Sequence, residues 1–167
     1  MKKSALTTFV LALPVMWGAP TFAGIVDTAL PELAAGKTTY HLYSVSGVNG
    51  GGGGQFGTYF SCTSTDSTPI QVGVQIFVAG GGGPANDAAA TSLSVGPGQT
   101  VLFGTLNGGG FILNSDLNVL SGLAGSARIL ATSKKLICSA FLADRLNSPP
   151  TSMVYLTMVS KLKQRGE

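Results

Sequence analysis

In Gly125–Asp144, GSARILATSKKLICSAFLAD, two apolar runs flank a short polar break. Ala127, Ile129 and Ala131 alternate with Ser126, Arg128, Leu130 and Thr132, the period-two signature of a strand with one buried face. Leu136, Cys138, Ala140 and Leu142 then share one face, with Ile137, Ser139, Phe141 and Ala143 on the other. Ser133-Lys134-Lys135 is the break between them, and its lysines discourage aggregation of nearby strand edges. The pattern predicts a core hairpin. It carries no catalytic group.

Working outward, the same short strands recur along the chain. Thr38–Val45 is β-branched and aromatic, and Phe56–Thr63 puts Phe56, Phe60 and Cys62 on one face. Ile70–Ala79 has the clearest alternation, with Ile70, Val72, Val74, Ile76 and Val78 inward and Gln71, Gly73, Gln75 and Phe77 outward. Leu93-Ser-Val95, the turn Gly96-Pro-Gly98 and Gln99–Thr105 read as strand, turn and strand. Phe111–Ser121 fits a short strand and irregular loop, or a short helix capped by Ser115. Asn147-Ser-Pro-Pro150 forces a turn before a last strand, Met153–Lys161. Eight or nine short strands at regular spacing predict an all-β, antiparallel β-sandwich. It is immunoglobulin-like in general architecture only. The chain beyond residue 23 lacks a tryptophan, and Leu136 stands where a tyrosine would precede the second cysteine.

The amino terminus has the layout of an export signal. Lys2 and Lys3 precede the apolar run Phe9–Trp17, and small residues at Thr21 and Ala23 predict cleavage after Ala23. Pro14 and Pro20 interrupt a run that would need ~20 apolar residues to span a bilayer. The expected organisation is a signal peptide over 1–23, a leader over 24–36 that makes one helical turn or an extended arm, a domain over 37–161 and a polar tail over 162–167. Secretion or periplasmic residence follows. Without Lys2 and Lys3 the net charge falls from +3 to about +1, and no broad basic stripe exists for a nucleic acid. No transmembrane anchor is expected after cleavage. An eight-strand membrane barrel fits the length but lacks aromatic girdles.

Cys62 and Cys138 are the only cysteines, and an oxidising compartment predicts a structural disulfide between them, across or beside the core. Catalytic sets fail to assemble. His41 is the only histidine, so blue copper, structural zinc and a Ser-His-Asp triad all lack members, and no metal or other cofactor is expected. Gly52–Gly57 matches GxGxxG but leads into a strand, not a helix. Asn114–Asn118 lacks the glycine turn and closing glutamate of a calcium loop. Thr132–Lys135 and Ser160–Lys163 match a hydroxyl-x-x-Lys spacing by chance in a turn and a tail. Paired carboxylates of a small hydrolase are the remaining enzymatic route.

One surface stands out if Phe56–Thr63 pairs with Ile70–Ala79. Its outward residues are Tyr59, Ser61, Thr63, Gln71, Gln75 and Phe77. Rings supply contact area and amides supply orientation, so such a face suits a carbohydrate or a protein partner. The sequence therefore points to an exported, non-enzymatic binding or interaction module. The alternative is a self-associating structural or adhesive subunit, a homo-oligomer joined through weakly charged strand edges.

Overall fold

A computed structural model describes residues 25, 28–50, 55–81, 83–108, 110–117, 119 and 124–161. The segment 1–23 expected to be a signal peptide, most of the glycine run at 50–54 and the expected tail 162–167 lie outside them. The described chain is all-β. Its strands are β1 Tyr40–Asn49, β2 Phe56–Ser64, β3 Ile70–Val78, β4 Leu93–Val95, β5 Thr100–Gly104, β6 Ser115–Asp116, β7 Ala124–Ala131, β8 Leu136–Asp144, β9 Met153–Tyr155 and β10 Met158–Ser160. They form two open five-stranded sheets, β10-β1-β7-β3-β4 and β6-β5-β2-β8-β9, stacked in a sandwich-like arrangement. All pairings are antiparallel except β5 with β6. No described helix is long and apolar enough to cross a membrane.

The alternation read from the sequence selects the core. Val72, Val74 and Ile76 of β3, Ala127, Ile129 and Ala131 of β7, and Phe60 and Cys62 of β2 are all buried between the sheets. Burying this many aliphatic and aromatic side chains is the main driving force, at about 25 cal/mol per Å² of apolar surface.

The connections differ from the expectation. β7 and β8 are not a hairpin. β7 lies in the first sheet between β1 and β3, and β8 lies in the second between β2 and β9. Ser133–Lys135 is an arch that carries the chain from one sheet to the other. The same holds for Thr65–Pro69 between β2 and β3, and for Gly96–Gln99 between β4 and β5. A short polar break supplies only a reversal of direction, which a hairpin and an arch share.

The three arches stand side by side at one end of the sandwich. Thr65 N donates to Lys135 O and Gly98 N donates to Ser64 O, tying each arch to its neighbour. The Ser133 hydroxyl donates to Asp66 Oδ2, whose other oxygen lies 3.6 Å from Lys135 Nζ. Gly98 adopts φ +70°, a left-handed conformation that glycine takes without a Cβ penalty. At the other end, the buried Thr58 and Thr105 hydroxyls both donate to Asn49 O, joining the sheets.

The last run also splits. Met153–Lys161 is two strands, β9 on the edge of the second sheet and β10 on the edge of the first. Between them Leu156 packs against the core, with its N–H donated to Ala140 O. The strand count is ten because of this split and of β6, a two-residue strand inside Phe111–Ser121.

The leader is neither a helical turn nor a free arm. A tight turn at Ala34–Lys37 is closed by Lys37 N donating to Ala34 O, and Gly36 N donates to Glu32 Oε1. Leu33 is buried with Ala88 and Leu130 on the outer face of the first sheet. The chain packs closely here, and at Gly125 a Cβ would fall 1.9 Å from Phe77 O, so only glycine fits.

Candidate functional site

The six residues expected on one face occupy two. β2 and β3 are consecutive in sequence, but the arch at 65–69 sends them into different sheets. Tyr59, Ser61 and Thr63 lie on the outer face of the second sheet, and Gln71, Gln75 and Phe77 on the outer face of the first. This corrects the expected binding face.

On the first sheet the residues form an interior of their own. Arg128 of β7 sits opposite Gln75 and is 1 % exposed. Its Nε donates to Gln75 Oε1 at 2.6 Å. Nη1 donates to the carbonyls of Thr28 at 2.8 Å and Ile25 at 3.2 Å, and Nη2 donates to Ala29 O at 2.7 Å. The guanidinium also lies 5.1 Å from the Phe77 ring centroid, a cation–π distance. Burial lowers its pKa. Gln75 and Phe77 thus hold the arginine that pins the leader, and Gln71 donates its amide to Ser92 Oγ. Gln75 and Phe77 are buried by this packing, and Gln71 is half-buried.

On the second sheet, Tyr59 is fully buried beneath a short loop. Its ring lies 4.5 Å from that of Phe111 and 5.5 Å from that of Phe141. Its hydroxyl finds no hydrogen-bond partner among the described residues, and burial raises its pKa. Beyond this covered patch the face is open. Ser61 pairs with Ser139 and Thr63 with Ile137 across β8, while Leu102 and Thr100 flank them on β5. Phe141 pairs with Tyr155 of β9 and Ala143 with Met153. The outward positions of β2, β5, β8 and β9 contain no charged residue. Ile137 is 63 % exposed and Tyr155 70 %, and Met153 is exposed beside Tyr155. Exposed apolar side chains at Ile137, Met153 and Tyr155 thus stand around the hydroxyls of Ser61, Thr63 and Ser139, with no charge among them.

Sequence reasoning placed Ser61 and Thr63 on this surface but missed Ile137, Met153 and Tyr155. The available signal was the uncharged stretch from Leu146 to Ser160, bounded by Arg145 and Lys161.

The other polar groups are spent on structure. A cleft of about 420 Å³ between β4 and β5 is lined by Ser94, Gln99, Thr100 and Asn114. Its amides are occupied, for Asn114 Oδ1 accepts from Leu102 N and Gln99 Oε1 from Gly96 N. The Thr100 hydroxyl is bonded to that of Thr63. Asp144 accepts from Leu146 N, Asn147 Nδ2 and Thr151 Oγ1, bonds that lower its pKa and fix the turn before β9. The Ser133 bond likewise lowers the pKa of Asp66. Among the described residues no three histidines, cysteines or carboxylates converge on a metal-binding geometry.

His41 lies in β1, with Nε2 at 3.2 Å from Tyr43 O and 3.1 Å from Ser44 Oγ. Burial, helped by the charges of Arg128 and Lys161, lowers its pKa from 6.5 to about 4. Between those values the unfolded chain takes up a proton that the folded chain refuses, so stability falls as pH drops through that window. The Asp66 and Asp144 carboxyls, held below their ordinary pKa of 3.8, lose their contribution only at lower pH. Thermal melts should therefore show the melting temperature declining from pH 6.5 to pH 4.5. His41→Gln should flatten that decline, and an unchanged slope would assign it elsewhere.

Cys62 and Cys138 are bonded. They are opposite residues of neighbouring strands, β2 and β8, with Cα atoms 4.2 Å apart. The bond joins neighbouring strands of one sheet on its core-facing side and does not span the two sheets. It is consistent with an oxidising compartment. Comparison of the chain with protein-family models, curated proteins and solved structures found no match, so the functional reading rests on the uncharged outer face of the second sheet.

Proposed function

We propose that this chain is an exported β-sandwich that acts by binding another protein surface, without catalysis, through the outer face of its second sheet. The observation that carries this reading is the uncharged surface of β2, β5, β8 and β9, with Ile137, Met153 and Tyr155 exposed on it. A face of hydroxyls ringed by aliphatic groups and one aromatic ring suits a protein surface better than a sugar. The amides that would orient a sugar, Gln71 and Gln75, belong to the other sheet and are already bonded. Export is supported by the amino-terminal signal pattern and agrees with the disulfide. An immunoglobulin-like architecture is supported by the order β1-β7-β3 over β2-β8-β9, the order of strands B-E-D and C-F-G in such sandwiches.

Site-specific photo-cross-linking in the producing cell tests the reading. A photoreactive residue at position 137 should yield one discrete protein adduct. The same residue at Ala90, exposed over the first sheet, should yield none. Absence of any adduct from position 137 would remove the basis for the proposal.

A further inference from the structure

We infer that two copies of this chain join edge to edge through β9, antiparallel, about a two-fold axis at Val154. The inference rests on the interaction reading above and names the partner for its exposed edge.

The backbone directions come from the ladder with β8. Asp144 N donates to Ser152 O and Leu156 N donates to Ala140 O, so residues 152, 154 and 156 turn their polar groups toward β8. By the alternation of an antiparallel ladder, Met153 and Tyr155 turn their N–H and C=O groups to the open side. A second β9 placed antiparallel about Val154 sets Met153 opposite Tyr155 of the other copy, twice. Each such pair exchanges two backbone hydrogen bonds. The two outer faces then become one continuous surface across ten strands, five from each copy.

The side chains match themselves in this register. Met153 and Tyr155 share the outer face, so each thioether meets the other copy's ring, a favourable sulfur–aromatic contact. Val154, 62 % exposed, meets its own symmetry mate. No charge lies between Arg145 and Lys161, so pairing the segment with itself opposes no like charges. A partner of different sequence would leave this self-complementarity unused. Natural sheets blunt their edges, and the other edges here are blunted. Beyond β4, the Asn86 side chain accepts from Ile76 N and donates to Val74 O, covering β3. β6 is only two residues long and includes Asp116, while β10 runs directly into Lys161. Because one edge serves both copies, the assembly closes as a dimer and does not propagate into a fibre.

Sedimentation of the mature chain across concentration should give a two-chain mass at high concentration and a one-chain mass on dilution. Val154→Lys sets two ammonium groups opposite each other at the axis and should hold the chain at the one-chain mass, with its circular dichroism and melting temperature retained. Val154→Cys should form a disulfide-linked dimer on mild oxidation, because opposed residues of a non-hydrogen-bonded pair have Cα atoms about 4.5 Å apart. Ile137→Cys, exposed but away from the axis, should not. A one-chain mass at the highest soluble concentration overturns the pairing. So does a dimer that survives Val154→Lys, or cross-linking by the Ile137→Cys variant with none by Val154→Cys. Those outcomes leave the protein-binding reading standing if position 137 still captures a different protein, and that reading fails only when no adduct forms.

Discussion

Replacing Arg128 with alanine should cost several kcal/mol, because it strips a charged donor from four acceptors packed under the leader, and each one left buried and unpaired costs about 1–3 kcal/mol. Arg128 heads the fully buried side chains by volume, and its donors satisfy Gln75 Oε1 and three leader carbonyls. Alanine strands these acceptors under the leader or forces the leader to lift and expose Phe77 and Leu33. Either route costs free energy, since an unpaired buried acceptor loses about 1–3 kcal/mol. Arg128→Lys keeps the charge but concentrates its donors at one nitrogen, so it should recover only part of the loss. Urea unfolding measures the change. Thermolysin, cutting before Ala29 or Ala34, reports whether the leader has lifted. A variant with unchanged midpoint and an uncut leader would refute the role assigned to this arginine.

The second large effect is expected at the disulfide. Cys62 and Cys138 are separated by 76 residues, for which the chain-entropy model gives about 4.5 kcal/mol. The bond also fixes register. A one-residue slip of β2 against a fixed β8 would turn Phe60 and Cys62 outward and Tyr59 and Ser61 inward. The double variant Cys62→Ala with Cys138→Ala leaves no stray thiol and should lower the urea midpoint by an amount matching several kcal/mol. A loss below about 1 kcal/mol would mean that packing alone sets both stability and register.

Strand positions were legible because burial on one face imposes a period of two, and β3 is its clearest case. Neighbours were not. Ser133-Lys134-Lys135 and Gly96-Pro-Gly98 state that the chain reverses, but the choice between pairing within a sheet and crossing to the other depends on distant strands. That ambiguity carried the error in the binding face, since Tyr59 and Gln75 share a face only if β2 pairs with β3. Arg128 shows a second limit. Alternation placed it outward correctly, yet outward meant under the leader. Its isolation as the sole charge between Asp116 and Lys134 is the trace that the sequence left of this. Met153–Lys161 reads as one strand because the change of sheet at Leu156 and Thr157 needs neither glycine nor proline.

The stacked arches bear on how the chain reaches its fold. Of the sequential strand pairs, only β3 with β4 and β8 with β9 are antiparallel neighbours, and each is joined by a long loop. The central ladders bring Tyr40 to Ala131 and Phe56 to Asp144. Almost no native structure can form until distant segments meet, so loop-closure entropy must be met before contacts compensate for it. Such topologies fold in about milliseconds to seconds, far slower than an isolated hairpin. A chain of this kind remains threadable after synthesis, which suits passage through an export channel. Its two cysteines meet only once β2 and β8 have found each other, which under the export proposed above falls after passage, in the oxidising compartment where the bond can form.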